Sequence, residues 1–145
     1  MQDLPHLYTV AAAAGPSGDV DVSSEGVETI VSGPPSEFGG AGGQWSPETL
    51  LVAAVADCFI LSFRAIARAS KLSWNALNCE VDGKLERSDG VLRFTEFAVR
   101  ATLIVPEETT DERAMRIMEK ADKSCLITNS LISTTRLEAI VSRDG

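Results

Sequence analysis

The chain has 145 residues, 44% of them hydrophobic, with mixed charges, which is enough for one globular domain with a buried core, expected over residues 1–145. Net charge is −8, and residues 1–63 hold eight acids (Asp3, Asp19, Asp21, Glu25, Glu28, Glu37, Glu48, Asp57) with no Lys or Arg, while the remainder is neutral. This acidic balance without a basic patch excludes nucleic-acid binding, and three cysteines beside one histidine support neither a secreted disulfide framework nor a zinc site.

In chain order, residues 7–32 read as short strands and tight turns with one solvated face. Leu7, Tyr8, Thr9 and Val10 come first. Val20 and Val22 then alternate with Asp19 and Asp21, and Val27, Thr29 and Val31 follow, with Gly15-Pro16-Ser17-Gly18 and Ser24-Glu25-Gly26 as breaks. Residues 32–44 form a loop rich in Gly and Pro, in which Glu37 and Phe38 are large exceptions.

Ser46-Pro47-Glu48 is a helix-start signature: an N-cap oxygen, a proline suited to the first helical position, and an acid for the positive end of the dipole. The helix runs to Arg68, and because Thr49 to Phe63 is almost wholly apolar or small, burial on most sides is expected. That run contains Asp57 and is too short for a membrane span. With no basic start ahead of an apolar block, a secretory signal is not expected either, so the expected location is the cytoplasm.

After Trp74, Leu77, Cys79, Val81, Gly83 and Leu85 alternate with polar residues as a strand, and Asp89-Gly90 makes the turn. The return strand carries Phe97, Val99, Ala101, Leu103 and Val105 inward, and Pro106 ends it. A second helix is expected from Thr109, with Glu112 completing a capping box and Ala114, Ile117, Met118, Ala121 and Cys125 on one stripe. Ser124 is the expected cap of a short helix over residues 125–130, and Thr134 to Ser142 reads as a last strand.

The cysteines carry the only chemistry of note. Cys79, between Leu77 and Val81 on an inward face, reads as a small hydrophobe. Cys58 and Cys125 each lie on the apolar stripe of a helix, which leaves two readings: ordinary core, or two stripes that face each other so that the sulfurs meet. A thiol surrounded by hydrocarbon keeps a high pKa, whereas Cys125, beside a helix start, is expected to have its thiolate favoured by free N–H groups. No phosphate-binding glycine motif accompanies them.

The block from Ser46 to Phe59, with Pro47-Glu48 opening the helix and Cys58-Phe59 closing the motif, resembles the helix signature of the OsmC/Ohr family of thiol peroxidases. Glu37-Phe38-Gly39-Gly40 and the spacing of Cys125 after Cys58 are similar to that family as well. The resemblance implies an α+β, OsmC-like fold: antiparallel sheets around a buried central helix, in an intertwined homodimer. It implies a peroxidase in which Cys58 attacks an organic hydroperoxide, Cys125 resolves the sulfenic acid to a disulfide, and Glu48 belongs to the site. It further implies no metal or bound cofactor, and an external dithiol or lipoylated protein as reductant. Two departures stand out. The family's N-terminal arginine has no counterpart before Arg64, so a slow, high-pH thiolate is expected at Cys58, and Leu126 stands where the family has a proline. A pocket for an apolar ligand without turnover, or a peroxide-sensing switch, are the alternatives.

Overall fold

A computed structural model describes residues 1–143. Two compact units divide the chain within its long helix, Met1–Leu51 and the residues from Val52 onward. The first unit is a three-stranded antiparallel sheet, β1 (Ala11–Ala13), β2 (Val20–Ser23) and β3 (Ile30–Ser32), in that order. β1 lies after the residues 7–10 expected to form it, and Leu7, Tyr8 and Val10 are exposed. The following loop is pinned where Gly33 N–H donates to the Trp45 carbonyl at 3.0 Å.

The helix α1 (Pro47–Ala69) starts as its sequence requires. Ser46 Oγ accepts from the Thr49 N–H at 3.1 Å, and Thr49 Oγ1 accepts from the Ser46 N–H at 2.9 Å, so two otherwise orphaned donors are satisfied reciprocally. Its 23 residues include an 18-residue window of mean hydropathy 2.1, long and apolar enough to cross a membrane, a test that core helices also pass. Val55, Phe59, Phe63 and Ala67, spaced every fourth residue, are its buried stripe. Burial on most sides does not hold within one chain. Asp57, Leu61, Arg64, Ala65 and Arg68 are exposed, because one sheet has room for only one helical face.

That sheet is built from β4 (Ala76–Ser88), β5 (Val91–Ile104) and β6 (Thr134–Ser142), in that order. β4 and β5 form a hairpin whose turn has Asp89 at φ 52° and Gly90 at φ 78°, the pair of positive angles a tight hairpin needs. A bulge shifts the register, Lys84 opposite Glu96 but Leu85 opposite Phe94, so Thr95 is the extra residue. The shift turns Phe94 and Phe97 to the same side, stacked with centroids 5.3 Å apart, over Gly83. β6 joins β5 in parallel, so the sheet is mixed rather than wholly antiparallel. The reason is topological: two helices, α2 (Asp111–Ser124) and α3 (Leu126–Asn129), form the crossover that a parallel neighbour requires.

α2 is capped one residue later than its sequence suggested. Thr110 accepts from the Arg113 N–H, while Thr109 Oγ1 donates to the Ser73 carbonyl at 2.8 Å. Ala114, Ile117, Met118 and Ala121 are its buried stripe, as the periodicity predicted. Arg143 clasps the start of α2 from the end of β6, reaching Asp111 Oδ1 at 2.6 Å and the Thr109 carbonyl at 2.5 Å.

Gly83 tests this packing. A Cβ there would lie 2.7 Å from Val52 Cγ2 and 3.0 Å from a Phe94 ring carbon. Gly83→Val should therefore overpack the contact between α1 and the sheet and lower stability by about 1–3 kcal/mol, read as a lower midpoint in urea.

Candidate functional site

Cys58 lies midway along α1, and four residues further on Ser62 Oγ comes within 3.8 Å of its sulfur. The other partners come from the opposite end of the chain. α2 ends at Ser124, and Cys125 takes an extended backbone (φ −65°, ψ 107°) before α3 begins at Leu126. In such a break the first N–H groups of the new helix have no carbonyl of their own. Those of Ile127 and Leu126, and the Cys125 thiol, come near enough to the Cys58 sulfur to favour its thiolate.

Burial opposes ionisation of Cys58, but the donors from Ile127, Cys125, Ser62 and Leu126 outweigh it and hold its pKa below the ordinary thiol value. This overturns the expectation of a high-pKa thiolate at Cys58. Hydrocarbon covers α1 on the sheet side, while hydrogen-bond donors meet the sulfur from α3. Cys125 behaves in the opposite way to its expectation. Only 2% exposed, it is pushed up by burial, against donors from Thr128, and further by the neighbouring Cys58. It is the N-cap residue of α3, and Ser124, expected to be the cap, instead donates to the Lys120 carbonyl at 2.9 Å.

The structure thus brings Cys58 and Cys125 close enough for each to influence the ionisation of the other. Cys79 stands apart in character. Burial pushes its thiol up to about 11, with a smaller contribution from Cys125, which suits the inert core role read from its strand position. Glu48 is in the first turn of α1, ten residues before Cys58, or about 15 Å of helical rise. Its Oε1 is buried without a hydrogen-bond partner. It lines an apolar cavity of about 500 Å³ within the N-terminal unit. No group of three or more metal-ligating side chains occurs among the described residues.

Sequence reasoning missed the backbone donors, although a signal for one was present. Leu126 has an N–H that a proline at the same place would lack. Ser62 was visible as the i+4 neighbour of Cys58.

The profile of the OsmC-like protein family matches residues 40–139. The chain belongs to that family. It is 26% identical over 145 residues to the Bacillus subtilis (strain 168) protein YmaD, covering 97% of each. In fold it is similar to an OsmC-like protein, VCA0330, from Vibrio cholerae O1 biovar eltor str. N16961 (TM-score 0.86, 18% identity, 94% of this chain and 100% of that one). It is also similar to an organic hydroperoxide resistance protein OsmC from Legionella pneumophila (TM-score 0.75, 23% identity, 97% and 99% covered). The α+β, OsmC-like fold expected from the sequence is therefore present.

Three outcomes follow from the thiol environment. The pH profile of Cys58 alkylation should have its midpoint below about 8.5, the free-thiol value, and Ser62→Ala should move it upward by deleting a donor to the thiolate. Leu126→Pro should move it upward too. Proline is tolerated at the first position of a helix, and the extended Cys125 suits a residue before proline, so the change removes one N–H and little else. Cys79→Ala should leave this profile unaltered, and native Cys79 should resist alkylation at neutral pH.

Proposed function

We propose that the protein is a cytoplasmic thiol peroxidase that reduces organic hydroperoxides in defence against oxidative stress, with Cys58 the peroxidatic and Cys125 the resolving cysteine. The observation that supports this most is the closeness of Cys125 to a Cys58 sulfur whose pKa is lowered by neighbouring donors. A disulfide between them requires Cα atoms about 4.4–6.8 Å apart.

In the first step an electron pair of the Cys58 thiolate attacks the terminal oxygen of the hydroperoxide. The O–O bond breaks, the sulfur is oxidised to sulfenic acid, and the departing alkoxide takes up a proton to leave as the alcohol. Oxidation removes the negative charge beside Cys125, and with it one of the two influences that raise the pKa of that thiol. Cys125 is thereby released to ionise when it is needed. Its thiolate attacks Cys58 Sγ, the S–S bond forms, the S–O bond breaks, and hydroxide leaves as water after protonation. An external dithiol or lipoylated protein returns two electrons and two protons by thiol–disulfide exchange. The scheme needs no bound cofactor.

Glu48 is the third residue of the proposed site, as a positioning residue for substrate. The exposed face of α1 supports a homodimer. It is apolar at Leu61 and Ala65, with Asp57 toward one end and Arg64 and Arg68 toward the other. Antiparallel pairing of two such faces sets the acid of each against the bases of the other and buries Leu61, which is 50% exposed in one chain.

With a dithiol and tert-butyl or cumene hydroperoxide, the wild type should turn over and Cys58→Ser should consume none. Cys125→Ser should stop after a single equivalent, leaving sulfenic acid detectable by mass. Turnover by Cys58→Ser would overturn the reading. Sedimentation should give a dimer at micromolar concentration, and Leu61→Glu should shift it toward monomer.

A further inference from the structure

α2 carries four acids and four bases, and they are segregated. Arg113, Arg116, Lys120 and Lys123 recur at intervals of three, four and three residues, which lines them up along one edge of the helix. Asp111, Glu112, Glu119 and Asp122 fall on the neighbouring edge, opposite the buried stripe. Arg113 donates to the Ser70 carbonyl just past the end of α1, beside exposed Lys71. Arg116, Lys120 and Lys123 are exposed and take part in no ion pair among the described residues, although Glu112 and Glu119 stand one turn before Arg116 and Lys123. From Arg113 to Lys123 the line is about 15 Å long at helical rise, and it ends two residues before Cys125. In a chain of net charge −8 such an edge attracts an acidic partner, while the acids elsewhere repel it, so position is selected as well as charge. Interface cores are poor in Lys, which sets this edge outside the apolar contact through Leu61 that the proposed homodimer uses.

We propose that the basic edge of α2 docks the external reductant, and that this reductant is a protein whose dithiol lies beside an acidic surface. The inference deepens the peroxidase reading and rests on it for the disulfide to be reduced, whereas docking itself involves no thiol. Once docked, a partner thiolate attacks Cys58 Sγ of the Cys58–Cys125 disulfide, because Cys58 is half-buried and Cys125 only 2% exposed. The S–S bond breaks, and Cys125 leaves as a thiolate that takes up a proton. The partner's second thiol gives up its proton and attacks its own sulfur in the mixed disulfide. Cys58 then leaves as a thiolate, and the partner departs oxidised by two electrons to its disulfide. The lowered pKa of Cys58 makes it the better leaving group for that second step.

The test uses full-length protein and synthetic peptides of one length that carry a dihydrolipoyl group beside a run of Glu, of Gln or of Lys. Reduction of the peroxide-oxidised wild type should be at least about ten-fold faster with the Glu peptide than with the Gln peptide at low ionic strength, with the Lys peptide slowest. The advantage should shrink as salt brings the Debye length below about 8 Å. Arg116→Gln combined with Lys120→Gln should remove it and leave reduction by dithiothreitol unaltered. Lys84→Gln combined with Arg136→Gln, the same loss of charge placed on β4 and β6, should keep it, with circular dichroism confirming that each variant is folded. Apart from any redox step, calorimetric titration of Cys58→Ser protein with the Glu peptide lacking its dithiol should show saturable binding that the two α2 changes abolish. Equal rates with the Glu and Gln peptides, an advantage that survives the α2 changes, or one lost equally in the β4 and β6 variant would each overturn the inference. Conversion of a dimer to monomer by the α2 changes, seen in sedimentation, would overturn it too, because the edge would then be a contact between copies. Failure of peroxide to form a disulfide would overturn the peroxidase reading and with it the partner's role as reductant, while the titration would still decide the docking.

Discussion

The thiol chemistry depends on the break between α2 and α3. Had α2 continued through Cys125, the N–H groups of Leu126 and Ile127 would have bonded to carbonyls one turn back, and Cys58 would have had only Ser62 to offset its burial. One extended residue at 125 frees those donors and turns them on a sulfur sixty-odd positions earlier in the chain. The same residue carries the second thiol, so the geometry that lowers the pKa of Cys58 also brings Cys125 close to it. Cys125 in turn ionises less readily while Cys58 is reduced. One backbone feature thus sets the ionisation of the two thiols apart.

The sheet sets where that break falls. Because β6 joins β5 in parallel, α2 and α3 must cross from one end of the sheet to the other, and Arg143 holds the start of α2 to the far end of β6. The bulge at Thr95 and the bare Gly83 let Phe94 and Phe97 stack beneath Val52, which fixes the sheet side of α1. With that side committed, the stripe containing Val55, Phe59 and Phe63 is buried, and Cys58, one residue off it, stays half-buried at the edge where α3 arrives.

Much of this was legible in the sequence because it follows from periodicity and local chemistry. The Ser46 cap, the Asp89-Gly90 turn and the α2 stripe are each dictated by a few neighbouring residues. What was not legible depended on distant parts of the chain. A strong local motif, Thr109 with Glu112, lost to Thr110 because Thr109 was claimed by the Ser73 carbonyl across the fold. The apolar run of α1 indicated burial, but how much of it one chain can cover is a question of sheet width. The lowered pKa of Cys58 was hidden for a related reason. Its donors are largely main-chain groups, which have no letter in the sequence, and only Leu126 in the place of a proline hinted at one.

That last point bears on how the site manages without an N-terminal arginine. An arginine supplies both hydrogen bonds and a full positive charge, which must itself be desolvated and paired. Backbone N–H groups supply the hydrogen bonds alone. They cost no desolvated cation and need no acid to orient them. The consequence reaches Glu48. In a site with an arginine, a buried carboxylate beside it is neutralised within the protein. Here the sulfur is met by neutral dipoles, and Glu48 lies in a unit that holds no Lys or Arg to play that part.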